Sequence, residues 1–145
     1  MFECEVTTGI EAAPAVLFPF LVDVVNDTRW RQGVKDVVLV DGATGVVGAT
    51  YVVTAHAPEH HADVVVKIGL DAVVADRRID LRLPSDLATY LLSYRLEPSG
   101  RGTDLSVHIS VDAPGPIARI AARSGAATMT EDLARLAALF GSPAG

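Results

Sequence analysis

Residues 94–140 read YRLEPSGRGTDLSVHISVDAPGPIARIAARSGAATMTEDLARLAALF, and this stretch decides the fold. It begins with a strand signal broken by the turn residues Pro98 and Gly100, after which apolar and polar residues alternate as in a strand with one buried face. A Gly-Pro pair ends the alternation, and an alanine-rich segment predicts one long helix from Pro116 to about Phe140. At about 1.5 Å per residue, such a helix spans about 37 Å and has to lie across the whole domain. The stretch therefore predicts a sheet closed by one long helix.

The residues before this stretch predict the rest of the sheet and two short helices. Loose alternation at 3–10 predicts a first strand, and an apolar run at 13–21 predicts a short helix. A second short helix is expected at about 23–30. Asp23 and Asn26 are the expected helix-start or turn residues. Further on, β-branched segments alternate with turn signals at a spacing typical of antiparallel hairpins, which predicts strands at 34–41, 46–57, 62–70, 74–83, 87–97 and 103–112. The expected fold class is α+β, a seven-stranded antiparallel sheet with two short helices, wrapped around the long C-terminal helix.

Two interpretations of the long helix stay open at Ser124-Gly125. An interior glycine costs about 1 kcal/mol relative to alanine, and Thr128 with Glu131 has the spacing of a capping box that would begin a second helix. The helix is then either bent at this point or continuous with one tolerated glycine. A bend would matter for function only if it controlled access to a cavity.

Composition and charge restrict the class of protein. The chain has 145 residues, of which 50% are hydrophobic and 21% charged, so one globular domain spanning 1–145 is expected. The net charge of -6 repels phosphate backbones, and the scattered basic residues, including Arg29 and Arg31, are expected to be solvated, so nucleic-acid binding is not expected. No apolar run approaches the length of a membrane span. Cys4 is the only cysteine, which excludes an internal disulfide and fits a reduced, cytoplasmic setting.

The sequence contains no motif for cofactor or metal chemistry. The glycine-rich segment 42–48 reads as a hairpin turn, without the following helix that a phosphate-binding loop requires. His60 and His61 are adjacent in a turn, so both imidazoles cannot lie on one strand face, and a metal site is not expected there. His56 and His108 are expected at the surface. The sequence thus predicts neither a cofactor nor a metal.

Four groups of residues carry a resemblance to a known superfamily. They are Phe18 to Asp23 followed by Trp30-x-x-Gly33-Val34, then Gly48-x-x-Tyr51, Tyr94-x-Leu96-x-Pro98 and Gly102-Thr103-x-Leu105. With the order of the predicted elements, they resemble the START-like (SRPBCC) superfamily, in particular its polyketide cyclase/dehydrase and lipid transport branch, over nearly the whole chain. The resemblance implies the helix-grip fold and a deep, largely apolar pocket for a lipid, sterol, polyketide, quinone or similar molecule. Members include carriers and catalysts, and the fold alone does not decide between them.

Strand parity predicts which side chains face the helix, because successive residues of a strand point to opposite faces. In the strand at 87–97, apolar and tyrosine residues share the inward face and the charged residues share the outward face. Inward phenol groups can orient a polar ligand head inside an apolar pocket. The candidate ligand-binding residues are Trp30, Tyr51, Tyr90, Leu92, Tyr94, Ile117 and Ile120. For the tryptophan and for each tyrosine, core packing is the alternative.

The predicted function is binding or transport of a hydrophobic small molecule between the sheet and the C-terminal helix. Two alternatives stay open: a cyclase or dehydratase type of enzyme that uses the same cavity, and a protein-interaction module with a collapsed cavity. No catalytic residue is assigned, because general acid–base chemistry needs an ionisable group within reach of the ligand, and Glu131 and Asp132 are expected to be solvated or capping. Ile117, Ile120 and Ala121 are expected beneath the sheet. The sequence leaves a homodimer open.

Overall fold

The structure, a computed structural model, describes residues 1–57, 62–85 and 88–141. Within these ranges, strands and helices follow one another in the predicted order. They are β1 (Phe2–Ile10), α1 (Pro14–Val22), a 3₁₀ helix (Val24–Arg29), β2 (Val34–Asp41), β3 (Thr50–Ala57), β4 (Ala62–Val74), β5 (Arg78–Leu83), β6 (Thr89–Ser99), β7 (Gly102–Asp112) and α2 (Gly115–Phe140). His60 and His61, where no metal site is expected, lie outside the described residues.

The described strands form one antiparallel sheet of seven strands, in the spatial order β1-β7-β6-β5-β4-β3-β2. β1 pairs with β7 along its whole length, from Phe2 opposite Val111 to Ile10 opposite Thr103. The remaining neighbours are consecutive along the chain. α2 packs mainly against β1 and β7. This is the helix-grip arrangement, so the predicted fold class is confirmed.

The segment before β3 is longer than predicted. β3 begins at Thr50 rather than at residue 46. Gly42, Gly45 and Gly48 in the preceding segment have positive φ angles, from 74° to 96°, a region that residues with a Cβ rarely adopt. Because these glycines turn the chain, β3 begins four residues later than predicted.

Strand β4 is also longer than predicted. It continues to Val74, past the turn expected at residues 71–72, where its pairing with β5 shifts by one residue instead. The chain reverses further on, where Asp76 has a φ of 60°, a conformation that aspartate tolerates better than most residues. β5 consequently begins at Arg78 rather than at residue 74.

The core lies between the inner face of the sheet and α2. The charged residues Arg95 and Glu97 of β6 are exposed on the outer face, as parity predicts. Tyr94 and Leu96 alternate with them and are buried. From α2, the buried apolar residues are Ala118, Ala122, Met129, Leu133 and Leu136. The N-terminal half of the helix therefore contributes only alanines to the core, and its C-terminal half contributes large side chains.

The isoleucines of α2 are not covered by the sheet. Ile117 is 46% exposed and Ile120 is 69% exposed. The expectation that the sheet covers them is wrong, because Ala118 and Ala122 face the sheet instead. The large side chains are left at the edge of the helix–sheet contact.

α2 is continuous through Ser124 and Gly125. This confirms the interpretation of one uninterrupted helix that tolerates an interior glycine. A Cβ added at Gly125 would lie 3.8 Å from the Ile109 side chain, an ordinary van der Waals distance. The expected capping box is not formed, because the helix carries on through this region and no second N-terminus needs to be capped.

The two short helices form the corner between β1 and β2. The Asp23 side chain accepts a hydrogen bond from the Val25 backbone N–H at 3.3 Å, and the Asn26 side-chain amide donates to the Phe20 carbonyl at 3.1 Å. The helix-start role predicted for Asp23 is confirmed, whereas Asn26 lies inside the 3₁₀ helix and donates a hydrogen bond instead of accepting one. Trp30 follows the second helix and is buried. No helix in the described part of the chain is long and apolar enough to cross a membrane.

Candidate functional site

A groove of about 590 Å³ lies between α2 and the inner face of the sheet. Pockets for small molecules commonly have volumes of about 300–1,000 Å³. Strands β4 to β7 line the groove with Val66, Leu83, Tyr90, Leu92 and Ile109. α2 lines it with Ile117, Ile120, Ala121, Ser124, Gly125, Thr128 and Met129. The groove is therefore mainly apolar and follows about 18 Å of the helix.

The uneven contact between α2 and the sheet produces this groove. The helix packs on β1 and β7, at one side of the sheet, and leaves the inner face of the more distant strands partly uncovered. Of the other depressions in the described surface, the one between the end of β1 and the β6–β7 turn is more polar and includes Glu11, Arg101 and Asp104. Another, at Phe2 and Pro116, is also mainly apolar but lies where β1 and α2 begin. The helix–sheet groove is the candidate site because it is apolar and lies between α2 and the inner face of the sheet.

Arg31 is the charged residue in the described lining of the groove. Its backbone N–H donates to the Asp27 carbonyl at 2.8 Å, which fixes the turn after the 3₁₀ helix. Its side-chain Nε donates to Asp132 Oδ2 on α2 at 2.9 Å, and Nη1 donates to Tyr94 Oη on β6 at 3.4 Å. The guanidinium carbon also lies 5.4 Å from the centre of the Trp30 ring, within cation–π range. These contacts hold one cation at the groove.

Asp132 ties the segment after the 3₁₀ helix to α2. Its side chain is 1% exposed, whereas that of Arg31 is 20% exposed. Asp132 Oδ1 accepts hydrogen bonds from the Gln32 backbone N–H at 2.9 Å and from Arg135 Nη1 at 3.2 Å. Because Oδ2 accepts from Arg31, both carboxylate oxygens have partners. Arg31 consequently lies near the C-terminal end of the groove, one helical turn beyond Met129.

Asp27 is a second buried carboxyl beside Arg31. Burial raises the pKa of Asp27 to about 7, and the neighbouring carboxyls of Asp132 and Asp23 add to this, although the Arg31 charge acts in the opposite direction. The carboxyl is therefore about half protonated at neutral pH. Asp27 is not part of the groove lining.

The same surroundings act on Arg31 and Tyr94. Burial works against the charged guanidinium, but the Tyr94 oxygen and the carboxyls of Asp27 and Asp132 outweigh it, so the pKa of Arg31 is raised further above neutrality. Burial raises the pKa of Tyr94 as well, because the phenolate form would lose its hydration. Arg31 is thus permanently charged, and the Tyr94 hydroxyl stays neutral.

The predicted site residues fall into two groups. Tyr90, Leu92, Ile117 and Ile120 line the groove. Trp30, Tyr51 and Tyr94 are fully buried in the core and are not in its lining. Trp30 and Tyr94 pack on each other, with ring centres 6.2 Å apart, and the Trp30 Nε1 and Tyr51 Oη atoms have no hydrogen-bond partner among the described residues. Ligand contact by any of the predicted residues stays a prediction.

Sequence reasoning missed the charged residues around the groove. Arg31 was expected to be solvated and Asp132 to be solvated or capping. Both expectations are wrong, because Asp132 is buried and pairs with Arg31, most of whose side chain is covered. A signal for Asp132 was present: on a helix, residues three and four apart share a face, so Asp132 lies on the same face as Met129, Leu133 and Leu136. A charged residue on an apolar helix face needs a buried partner. No comparable pattern marked Arg31.

The described histidines are at the surface, as predicted for His56 and His108. His56 Nδ1 lies 3.4 Å from Asp63, and His108 Nε2 lies 3.4 Å from Glu5, and all these side chains are at least one-third exposed. Within 1–57, 62–85 and 88–141, no group of three or more His, Cys, Asp or Glu side chains is placed to hold a metal ion.

Comparison with known proteins gives a family and several similar structures. The family model described as polyketide cyclase/dehydrase and lipid transport matches residues 1–141. A search of curated proteins gave no significant match. Two similar solved structures are bacterial proteins, one from Chromobacterium violaceum and one from Nitrosospira multiformis.

The first is 17% identical, with a TM-score of 0.76 and coverage of 95% of this chain and 96% of that chain. The second is also 17% identical with a TM-score of 0.76, and 97% of each chain is covered. The crystal structure of Ara h 8.0201 is 17% identical, with a TM-score of 0.68, and the match covers 93% of this chain and 97% of that one. At these identities, the structural likeness concerns the fold alone.

Proposed function

Because the chain belongs to the polyketide cyclase/dehydrase and lipid transport family, we propose that the groove between α2 and the sheet binds a hydrophobic small molecule and releases it unchanged. The predicted resemblance to this branch of the superfamily is confirmed by the family match. Family and fold support a domain that binds hydrophobic ligands. The location of the ligand and its release without reaction are our proposal.

The observation that carries the proposal is the apolar wall formed by Ile117 and Ile120. Both side chains line the groove and are about half exposed or more. Large apolar side chains beside an open groove are unfavourably hydrated, and covering them contributes about 25 cal/mol per Å² of apolar surface. A hydrophobic ligand in the groove would supply this cover. The groove is open along the helix, so the ligand could leave without unfolding of the domain.

The composition of the lining favours binding over catalysis. A general acid or base must come within hydrogen-bond reach of the reacting atoms. Arg31 and Tyr90 are the ionisable residues of the described lining. Asp27, whose pKa of about 7 would suit proton transfer, lies behind Arg31 and outside the lining. We therefore propose a carrier or binding protein rather than a cyclase or dehydratase.

A neutral fluorescent probe, N-phenyl-1-naphthylamine, tests whether the groove is the binding site. Ser124 lies in the helix wall of the groove and is exposed, so Ser124→Trp should fill the groove without disturbing the core. Ala127 is exposed on the same helix but is not in the lining, which makes Ala127→Trp the matched control. Ser124→Trp is expected to weaken probe binding at least tenfold, and Ala127→Trp to leave it unchanged. Equal binding by both variants would refute the proposed site.

The natural ligand can be sought in the purified protein itself. Denaturation, extraction with organic solvent and mass spectrometry should recover a hydrophobic compound from wild-type protein, and much less of it from Ser124→Trp purified in parallel. Recovery in equal amounts from both proteins would argue against the groove as its site.

A further inference from the structure

We propose that the groove selects hydrophobic molecules that carry an anionic head, and that Arg31 is the residue that binds this head. This inference rests on the proposed function, because it concerns the ligand of the same groove. Arg31 is the one charged side chain in the described lining, and it lies at the C-terminal end, away from the apolar isoleucine wall. A ligand lying along the groove would therefore have its polar end at Arg31 and its apolar part beside Ile117 and Ile120.

The guanidinium group has hydrogen-bond donors left for a ligand. Arginine carries five N–H donors. Among the described residues, Asp132 takes the Nε donor and Tyr94 takes one Nη1 donor. The two N–H groups of Nη2 and one of Nη1 are not engaged by the described residues. A carboxylate, sulfonate or phosphate accepts paired N–H donors of this kind in a planar, two-pronged arrangement.

The local charge is favourable for an anion although Asp132 pairs with Arg31. Asp132 is shared between two guanidinium groups, those of Arg31 and Arg135, so two positive charges surround one negative charge. Asp27 adds a further negative charge only in part at neutral pH, because burial raises its pKa to about 7. Arg31 is also held by packing over Trp30. A cation fixed before the ligand arrives loses little conformational freedom on binding.

Two probes that differ by one group test this inference. 1-Anilinonaphthalene-8-sulfonate is N-phenyl-1-naphthylamine with one added sulfonate, so the ratio of their dissociation constants isolates the contribution of the charge. Binding would be measured by calorimetric titration at about pH 6.5, where burial keeps Asp27 largely protonated, for the wild type, Arg31→Gln, Arg31→Lys and Arg77→Gln. Arg77 is an exposed arginine in the β4–β5 turn, outside the groove lining, and serves as the control.

Arg31→Gln is expected to weaken binding of the sulfonate probe about tenfold, because a hydrogen bond to a charged group contributes about 1.5–3 kcal/mol and about 1.4 kcal/mol corresponds to tenfold. Binding of the neutral probe should change less than about twofold. Arg31→Lys should recover part of the sulfonate affinity, and Arg77→Gln should leave both probes unaffected.

Two further variants keep the outcome decisive. If Arg31→Gln does not fold, the double variant Arg31→Gln with Asp132→Asn removes both charges of the buried pair and replaces the single variant. Equal weakening of both probes, or no loss for the sulfonate probe, overturns the role of Arg31. If Ser124→Trp weakens neither probe, the groove itself is not the site, and the proposed function fails rather than the head-group selection alone.

Discussion

Replacing Asp27 with asparagine should make the stability of the protein less sensitive to a rise in pH from the acidic to the neutral range. The carboxyl of Asp27 is buried next to Arg31, and its pKa rises from 3.8 to about 7 on folding. Between these two pH values the folded protein holds a proton that the unfolded chain has released. Stability from this group is complete below about pH 4 and is lost progressively as the pH rises toward about 7, after which the loss levels off. The asparagine side chain of the variant stays neutral throughout.

The size of the effect follows from the two pKa values. A difference of one pKa corresponds to about 1.4 kcal/mol, and the difference between 3.8 and about 7 therefore gives a change of about 4 kcal/mol. The quantity to compare is the free energy of unfolding of Asp27→Asn minus that of the wild type. This difference should increase by about 4 kcal/mol from about pH 4 to about pH 8, whatever its starting value. Other titrating groups cancel because both proteins contain them.

Urea denaturation at one-unit steps between about pH 4 and about pH 8 measures this difference directly. Asp104→Asn is a suitable control, because Asp104 is an exposed carboxyl on β7 that does not act on Asp27. A difference that stays constant across the pH range would refute the reasoning, since Asp27 would then have the same pKa in the folded and unfolded chains. A difference that falls with pH would mean that the ionised carboxyl is stabilised by Arg31 more than burial destabilises it.

Further expected outcomes concern the groove and the helix. Asp132→Ala should lower the free energy of unfolding by about 3 kcal/mol, because it leaves Arg31 without its buried partner. A loss of less than about 1 kcal/mol in urea denaturation would contradict this. Gly125→Ala should stabilise the protein by about 1 kcal/mol, as a helix-interior glycine is replaced where an added methyl group meets its nearest neighbour at 3.8 Å, and a lower Tm would disprove it. Tyr94→Phe should cost about 1 kcal/mol, and Tyr51→Phe should cost less, since only the Tyr94 hydroxyl has a hydrogen-bond partner among the described residues; equal losses in denaturant titrations would count against the Arg31–Tyr94 bond.

The fold could be predicted from the sequence because its signals are local and repeated. Alternation along β7 and the long apolar periodicity of α2 predict a strand followed by a helix, with bounds that differ from the structure by one residue. The errors lie where backbone geometry overrides such patterns. The turn predicted at residues 71–72 is a bulge within β4, where the pairing with β5 shifts by one residue. The chain reverses at Asp76 instead. Pattern alone does not distinguish a turn from a bulge.

The candidate site was predictable only in its apolar part. Parity placed Tyr90 and Leu92 on the inward face, where they line the groove. The buried pair between Arg31 and Asp132 joins residues 101 positions apart in the chain, so neither residue shows its partner in the local sequence. Parity assigned Tyr94 to the correct face of the sheet. It does not show whether an inward side chain lines the groove or is buried in the core, and Tyr94 is buried in the core. Long-range pairing and depth both depend on how α2 is placed over the sheet.

The exposed isoleucines of α2 can be replaced during evolution with little effect on the stability of the fold. Ile117 and Ile120 form a wall of the groove but contribute little to the core, which on this half of the helix depends on the buried alanines. Substitutions at exposed positions usually change stability by less than about 0.5 kcal/mol. If the groove binds its ligand as proposed, new side chains at these two positions would change the ligands that fit, while the alanine contact keeps the fold intact.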